Sequence, residues 1–441
     1  GDCLNVGCVP SKGVIRAARA WHEVKTAAER FGGPKVDGGE SFARAMERMR
    51  KIRADISKVD SAWRYRDELG VEVFLGQGRF VAADAVEVDG KRLHFKRAVV
   101  ATGARAAAPP IEGLEDAGYL TNETIFSLTA LPRRLAVIGG GPIGCELAQA
   151  FARFGSEVTL LDMAPHVLVR EDGDAAAVVQ RALVEDGVKL ELGASIERVE
   201  MKDGARVVHF ERDGGAHQVA ADELLVAVGR APNVDGLELE AAGIEQNKQG
   251  VVVDEYLQTS NPRVYAAGDI ALPYKFTHVA DAAARIVIQN ALFSLAGLGR
   301  AKWTDLTVPW CTYTSPEIAH VGMYEQEARE KGIEVDTVTV HLEHVDRALL
   351  DGETAGFARI HLEKGKDKIL GATIVAEHAG DMISEMTLAI TQEIGLGAIA
   401  SVIHPYPTQA EVLKRAADQW RRGKLTPLVQ KALRFKIRML R

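Results

Sequence analysis

The chain has 441 residues, 47% of them apolar and 26% charged, with a formal net charge of −7 and only four cysteines. A chain of this length can bury several cores, and about three domains are expected. The acidic balance leaves no basic field for nucleic acid, no apolar run approaches the ~20 residues of a bilayer span, and few cysteines with no secretory leader point to the cytoplasm.

The chemistry begins at once, in Gly1-Asp2-Cys3-Leu4-Asn5-Val6-Gly7-Cys8-Val9-Pro10-Ser11-Lys12. A short loop bent at Gly7 lets the sulfurs of Cys3 and Cys8 approach disulfide distance. The helix predicted from Val9 onward favours a thiolate at its N-terminal end. The pair therefore reads as a redox couple. The competing readings are a structural staple, which over so small a loop removes little chain entropy, and a zinc half-site. For zinc, Cys145 and Cys311 stand alone rather than paired, and both are predicted to be small buried hydrophobes. Lys12 follows Cys8 by one helical turn and shares its side.

A helix is predicted from Phe42 to Lys58 and a strand from Val71 to Leu75. Val99-Val100-Ala101-Thr102-Gly103 reads as a strand running into a turn. Leu135–Ile138 is an apolar strand that enters Gly139-Gly140-Gly141-Pro142-Ile143-Gly144 and then a helix carrying Cys145 and Glu146. In that turn Gly139 permits the tight bend, Gly141 lets the backbone approach a pyrophosphate, and Gly144 lets helix pack on strand. The next strand, Glu157–Leu161, ends at Asp162, 23 residues past Gly139. A carboxylate there can accept hydrogen bonds from both ribose hydroxyls and repels a 2′-phosphate, and no arginine lies between Asp162 and Arg170, so NADH is expected over NADPH.

Beyond these lie Ala227-Val228-Gly229-Arg230-Ala231-Pro232-Asn233, then a strand Arg263 to Ala267 that closes on Gly268-Asp269. Strands are expected at Val308 to Thr312 and Ala358 to Leu362, and a helix at Asp381 to Ile394. Near the end stands His404-Pro405-Tyr406-Pro407-Thr408-Gln409-Ala410-Glu411. From Arg421 to Arg441 there are eight basic residues and no acidic one. Lys431, Arg434, Arg438 and Arg441 recur at helical spacing against Leu428, Ala432, Phe435 and Met439, a basic amphipathic helix able to lie on an anionic membrane surface or a partner, or to dock on its own dimer.

In order and separation these segments resemble those of the flavoprotein pyridine nucleotide-disulfide oxidoreductases, the family of glutathione reductase, dihydrolipoamide dehydrogenase and mercuric reductase. The resemblance implies an α/β chain with two dinucleotide-binding, Rossmann-like domains and a C-terminal α+β dimerisation domain. The expected division is 1–105 for FAD, 106–235 for NAD(P), 236–305 returning to the flavin, 306–420 for dimerisation and 421–441 for the basic tail. The family's opening βαβ unit, which holds the FAD pyrophosphate, has no counterpart in this sequence, and the FAD domain reads as truncated at its N-terminus.

The resemblance also implies roles. NAD(P)H reduces FAD, which reduces the Cys3–Cys8 disulfide; Cys8 is the thiolate beside the flavin and Cys3 meets the substrate. Lys12 pairs with Glu146 near the flavin, Asp269 accepts a hydrogen bond from the ribityl chain, and Thr102, Gly103, Gly229 and Gly268 belong to the cofactor-binding motifs. Disulfide reductases of the family carry a histidine, oriented by a glutamate, as acid and base for the thiols. Here that position is Tyr406, with Glu411 retained, both expected from the second protomer of a homodimer. A phenol with a reference pKa near ~10 is a poor proton acceptor. Tyrosine is what mercuric reductase has there, and Hg(II) held by two thiolates needs two electrons and no proton shuttle. Mercuric reductases, however, end in a vicinal cysteine pair, whereas this chain ends Lys436-Ile437-Arg438-Met439-Leu440-Arg441. The expected acceptor is a thiol-bound metal ion or a small disulfide. The alternatives are a dihydrolipoamide dehydrogenase-like enzyme and a silent dinucleotide-binding scaffold. His404 is read as structural, with service as a base the alternative.

Overall fold

Apolar strands packed on both faces give this chain its frame. The computed structural model describes residues 1–35, 42–295 and 297–440. These form two compact units, one of Gly1–Glu23, Asp37–Pro165 and Val188–Leu306, the other of Val24–Val36, His166–Gly187 and Thr307–Arg441.

In the first unit, a parallel sheet runs Glu223–Val226, Arg134–Ile138, Glu157–Asp162, Lys189–Leu192. Leu135, Ala136, Val137 and Ile138 are all buried, the continuous apolar run expected of a parallel strand covered on both faces. The helix Pro142–Phe154 follows it and ends at Gly155, whose left-handed conformation caps the last turn. An antiparallel sheet of Ser195–Lys202, Ala205–Arg212 and Gly215–Ala221 shares a core with it through Phe210, Val208 and Leu224.

Two short ladders tie distant stretches together. Ala98–Val100 pairs in parallel with Val264–Ala266, and Ala104–Ala106 pairs antiparallel with Arg230–Pro232. The Thr102 hydroxyl donates to the Asn233 carbonyl at 2.9 Å, and Asn233 Nδ2 donates back to the Thr102 carbonyl at 2.9 Å.

The helix that follows the cysteine loop spans Cys8–Phe31, one residue earlier than expected, and buries Pro10, Val14 and Ala18 along one stripe. Gly13 lets it approach the helix Phe42–Ser57, where an added Cβ would lie 3.3 Å from Met49 Cγ. Phe42 of that second helix packs its ring against Phe151 and Phe154, with centroids 5.5 and 5.4 Å away. Burial of such a side chain contributes roughly 1.5–3 kcal/mol.

Residues 71–75 are not a strand. They take no regular structure, with Val71 and Leu75 exposed, although the Val71 amide bonds to the Tyr65 carbonyl at 2.9 Å. Apolar content alone cannot make a strand where no neighbour supplies a ladder.

The second unit is built on an antiparallel sheet ordered Pro309–Thr312, Glu317–Gly322, Ile369–Ala376, Phe357–Glu363, Val335–His341. Helices Ala379–Thr391 and Glu411–Gly423 bury Met382, Ile383, Met386, Val412, Leu413 and Ala416 in its core. The helix Pro427–Met439 follows, with none of its residues buried.

Candidate active site

The dithiol loop is a turn of helix, Asp2–Asn5, leading through Val6 and Gly7 into the helix that starts at Cys8. Gly7 is not left-handed; it is required because an added Cβ would meet Cys3 Cα at 3.0 Å and the Asp2 carbonyl at 3.1 Å. Contraction at this point keeps the cysteines together. Two side chains from elsewhere fix the loop's carbonyls: Arg53 donates to Asn5 O at 2.9 Å and Asn122 Nδ2 to Val6 O at 3.1 Å.

Cys3 and Cys8 are both free thiols. The hydrogen bond between them pulls Cys3 down to about 5, whereas the same bond, and then burial, push Cys8 up. Cys8 Sγ is also 3.6 Å from Thr277 Oγ1, at the first position of the helix Thr277–Ile288, and the Lys12 charge draws negative charge toward Cys8. Lys12 Nζ lies 2.8 Å from Glu146 Oε2, with Glu146 buried and Lys12 one-third exposed.

Asp2 extends the site. Arg230 Nη2 is 3.0 Å from Asp2 Oδ2 and donates to the Ala104 carbonyl at 2.7 Å, while its Nε lies 3.4 Å from Asp269 Oδ2. Arg230 Nε, although buried, makes no hydrogen bond among the described residues. Burial raises the Asp269 carboxyl and lowers the Lys275 amine, which donates to the Asp269 carbonyl.

In the glycine turn, a Cβ on Gly139 would stand 2.6 Å from the Ala227 carbonyl and one on Gly144 1.9 Å from the Gly139 carbonyl. A Cβ on Gly141 would meet open space. Asp162 accepts from the backbone amides of Gly140 at 2.5 Å and Ala164 at 2.7 Å, which fixes its carboxylate at the strand end. Cys145 is fully buried and bonds to the Gly140 carbonyl at 3.2 Å; burial raises its pKa.

The second unit holds the other constellation. Tyr406 is exposed; its hydroxyl donates to Asp346 Oδ2 at 3.0 Å, which raises its pKa further. Arg415 joins Glu411 Oε1 at 3.1 Å to Asp346 Oδ1 at 3.4 Å. Glu411 Oε2 and Gln409 Oε1 are buried with no hydrogen-bond partner among the described residues. His404 is committed elsewhere, its Nε2 lying 3.1 Å from Glu385 Oε1. This favours the structural reading of His404 over the catalytic one. Thr277, Arg230 as an ion-pair partner, Asn122, Arg53, Asp346 and Arg415 were not foreseen; all but Arg415, one helical turn past Glu411, come from parts of the chain remote from the residue they serve.

The family model for pyridine nucleotide-disulphide oxidoreductases matches residues 1–284, and that for the dimerisation domain of the same family matches 308–417. The chain belongs to the pyridine nucleotide-disulphide oxidoreductase family. It is 38% identical over 417 residues to mercuric reductase of Bacillus cereus, covering 94% of this chain and 65% of that protein, so it spans just under two thirds of that relative's length. It is 33% identical over 431 residues to dihydrolipoyl dehydrogenase of Thermus scotoductus, covering 95% and 89%. Among solved structures it is similar to the HOCl-induced flavoprotein disulfide reductase RclA from Escherichia coli, with a TM-score of 0.84 at 29% identity over 95% of this chain and 91% of that one. RclA has also been solved as a Cu(II) complex.

This oxidoreductase family uses FAD and NAD(P)H, and its dimerisation domain supports a homodimer. The residues present fit the nicotinamide dinucleotide and the ribityl part of FAD. Open space above Gly141 at a helix N-terminus suits a pyrophosphate. Left-handed Gly268, whose Cβ would sit 3.1 Å from Ala280 Cβ, presents the half-buried Asp269 as an acceptor for a hydroxyl-bearing ligand. Among the described residues no helix is long and apolar enough to cross a membrane, and no group of three or more His, Cys, Asp or Glu could hold a metal.

Proposed function

We propose that this chain is an FAD-dependent NAD(P)H oxidoreductase that delivers two electrons through Cys3 and Cys8 to a thiol-bound metal ion of the Hg(II) type. The observation that carries the acceptor class is Tyr406, whose phenol is held neutral by Asp346 where a thiol-exchanging enzyme needs a base. Bound FAD supplies the step that converts a hydride from NAD(P)H into an electron pair for a disulfide. The chain's own residues do the rest. Cys8, between Lys12 and Thr277, is the thiol on the flavin side, and Cys3 meets the acceptor. Lys12, held by Glu146, supplies positive charge beside reduced groups, and Thr102, Gly103, Gly229, Gly268 and Asp269 line the flavin's approach. Gly139, Gly141, Gly144 and Asp162 hold the nicotinamide dinucleotide. Tyr406 and Glu411 complete the acceptor site from the second protomer.

The redox balance closes without a base on the protein. The thiol-bound divalent ion passes to Cys3 and Cys8, the proton on Cys8 leaves with a displaced thiolate, both electrons pass from the two sulfurs to the metal, the metal leaves reduced by two electrons, and the sulfurs join as a disulfide. The Cu(II) complex of RclA supports a thiophilic metal as the acceptor class. A second reading, lipoamide turnover, is favoured by the 33% identity to the Thermus enzyme and disfavoured by Tyr406. The test is an anaerobic titration of the purified flavin-loaded protein with NADH, followed by Hg(II) with excess thiol or by lipoamide. Reoxidation by Hg(II) alone supports the proposal; reoxidation by lipoamide alone transfers it to the second reading. A protein that takes up no flavin leaves only a dinucleotide-binding scaffold.

A further inference from the structure

We propose that the C-terminal helix Pro427–Met439 is a peripheral membrane anchor that lies in the headgroup plane of an anionic bilayer. The helix is well defined locally: Pro427 occupies its first position and the Thr426 hydroxyl accepts from the Val429 amide at 3.4 Å. It belongs to no core. Leu428 is 79% exposed, Phe435 65% and Met439 73%, and at 100° per residue these three share one side. With Val429, Leu433 and Ile437, also exposed, they form one broad apolar arc, and Lys431, Arg434 and Arg438 lie together on the opposite arc. Neither these three nor Lys436 makes an ion pair among the described residues, although the chain as a whole is net acidic. Lys436 falls on the apolar side, where its long stem can carry the amine outward to the headgroups.

Three observations choose a lipid surface over another occupant. The stretch from Arg421 to Arg441 carries eight basic residues and no acidic one, which complements anionic headgroups. The helix lies beyond residues 308–417, the part that matches the family's dimerisation domain. Its 13 residues reach only ~20 Å, short of the ~30 Å hydrocarbon core, so an in-plane position is the one that buries the apolar side.

The test is co-sedimentation of the full-length protein with vesicles of phosphatidylcholine alone, or with about one third phosphatidylglycerol. Binding at least ~10-fold stronger to the anionic vesicles, and weakened by salt, is expected. Phe435→Glu, and separately the triple change Lys431→Glu, Arg434→Glu, Arg438→Glu, should each remove it; all four positions are exposed, so the fold is spared. Equal binding to both vesicles, no binding to either, or anionic binding retained by the triple variant would overturn the proposal. A triple variant that sediments as a monomer would instead assign the helix to the contact between copies. Because the readout is vesicle binding, it does not depend on the redox reading.

Discussion

At the scale of single residues, the cysteine loop shows how little sequence a redox couple needs and how much support it draws from outside. Its neighbour Cys8 draws Cys3 down to about 5. Lowering means that the thiolate persists as pH falls and is lost only below that value. Alkylation of the reduced protein by iodoacetamide should therefore stay nearly constant from about pH 8 to 6 and fall below about 5, whereas an ordinary thiol near ~8.5 would already be failing at neutrality. A rate that rises tenfold per unit through pH 7 would contradict the lowering of Cys3 by its neighbour. The same scale governs cofactor choice. Asp162 is fixed by the amides of Gly140 and Ala164, and its proposed place at the ribose would set negative charge where a 2′-phosphate would sit. We expect kcat/KM for NADH to exceed that for NADPH by at least ~10-fold, with Asp162→Ala narrowing the gap; a strong NADPH preference would remove Asp162 from the site.

At the scale of elements, the two glycines of the nucleotide turn separate folding from binding. Gly144 has a carbonyl 1.9 Å from where a Cβ would be, so Gly144→Ala must push helix from strand and should yield little folded protein. Gly141 is extended and faces open space. Gly141→Ala should keep its melting temperature within about 2 °C of the parent and lose NADH affinity by ~10-fold or more. Calorimetry with dinucleotide titration checks both, and a Gly141→Ala protein with unchanged affinity would refute the close approach. These motifs were legible because local spacing writes them: strand, glycine turn and helix lie within 21 residues, Arg134 to Phe154. The segment 71–75 was misread because a strand is defined by its neighbour, which a linear pattern does not show. Thr277 and Arg230 escaped for the same reason. Their partners, Cys8 and Asp2, lie more than two hundred positions away.

At the scale of the whole molecule, a protomer carries both halves of the proposed chemistry but in separate units, and Glu411 Oε2 is a buried acceptor with no donor among the described residues. If the acceptor site is shared between protomers, chains bearing Cys3→Ser and chains bearing Glu411→Ala should each be inactive alone. Co-expressed, they should recover measurable turnover, because one site in each mixed dimer is intact. Turnover that never returns would place the whole site within one chain.

Arg230 has a consequence for anyone who would rebuild this protein. One guanidinium reaches Asp2 before the first cysteine, the backbone of Ala104 and Asp269 at the end of a strand. Three stretches of gene that look independent are therefore a single inheritable module. A chimera that imports a cysteine loop with a neutral residue at position 2 would leave Arg230 with Asp269 as its one carboxylate partner among the described residues, and should express less well until position 230 is exchanged with it.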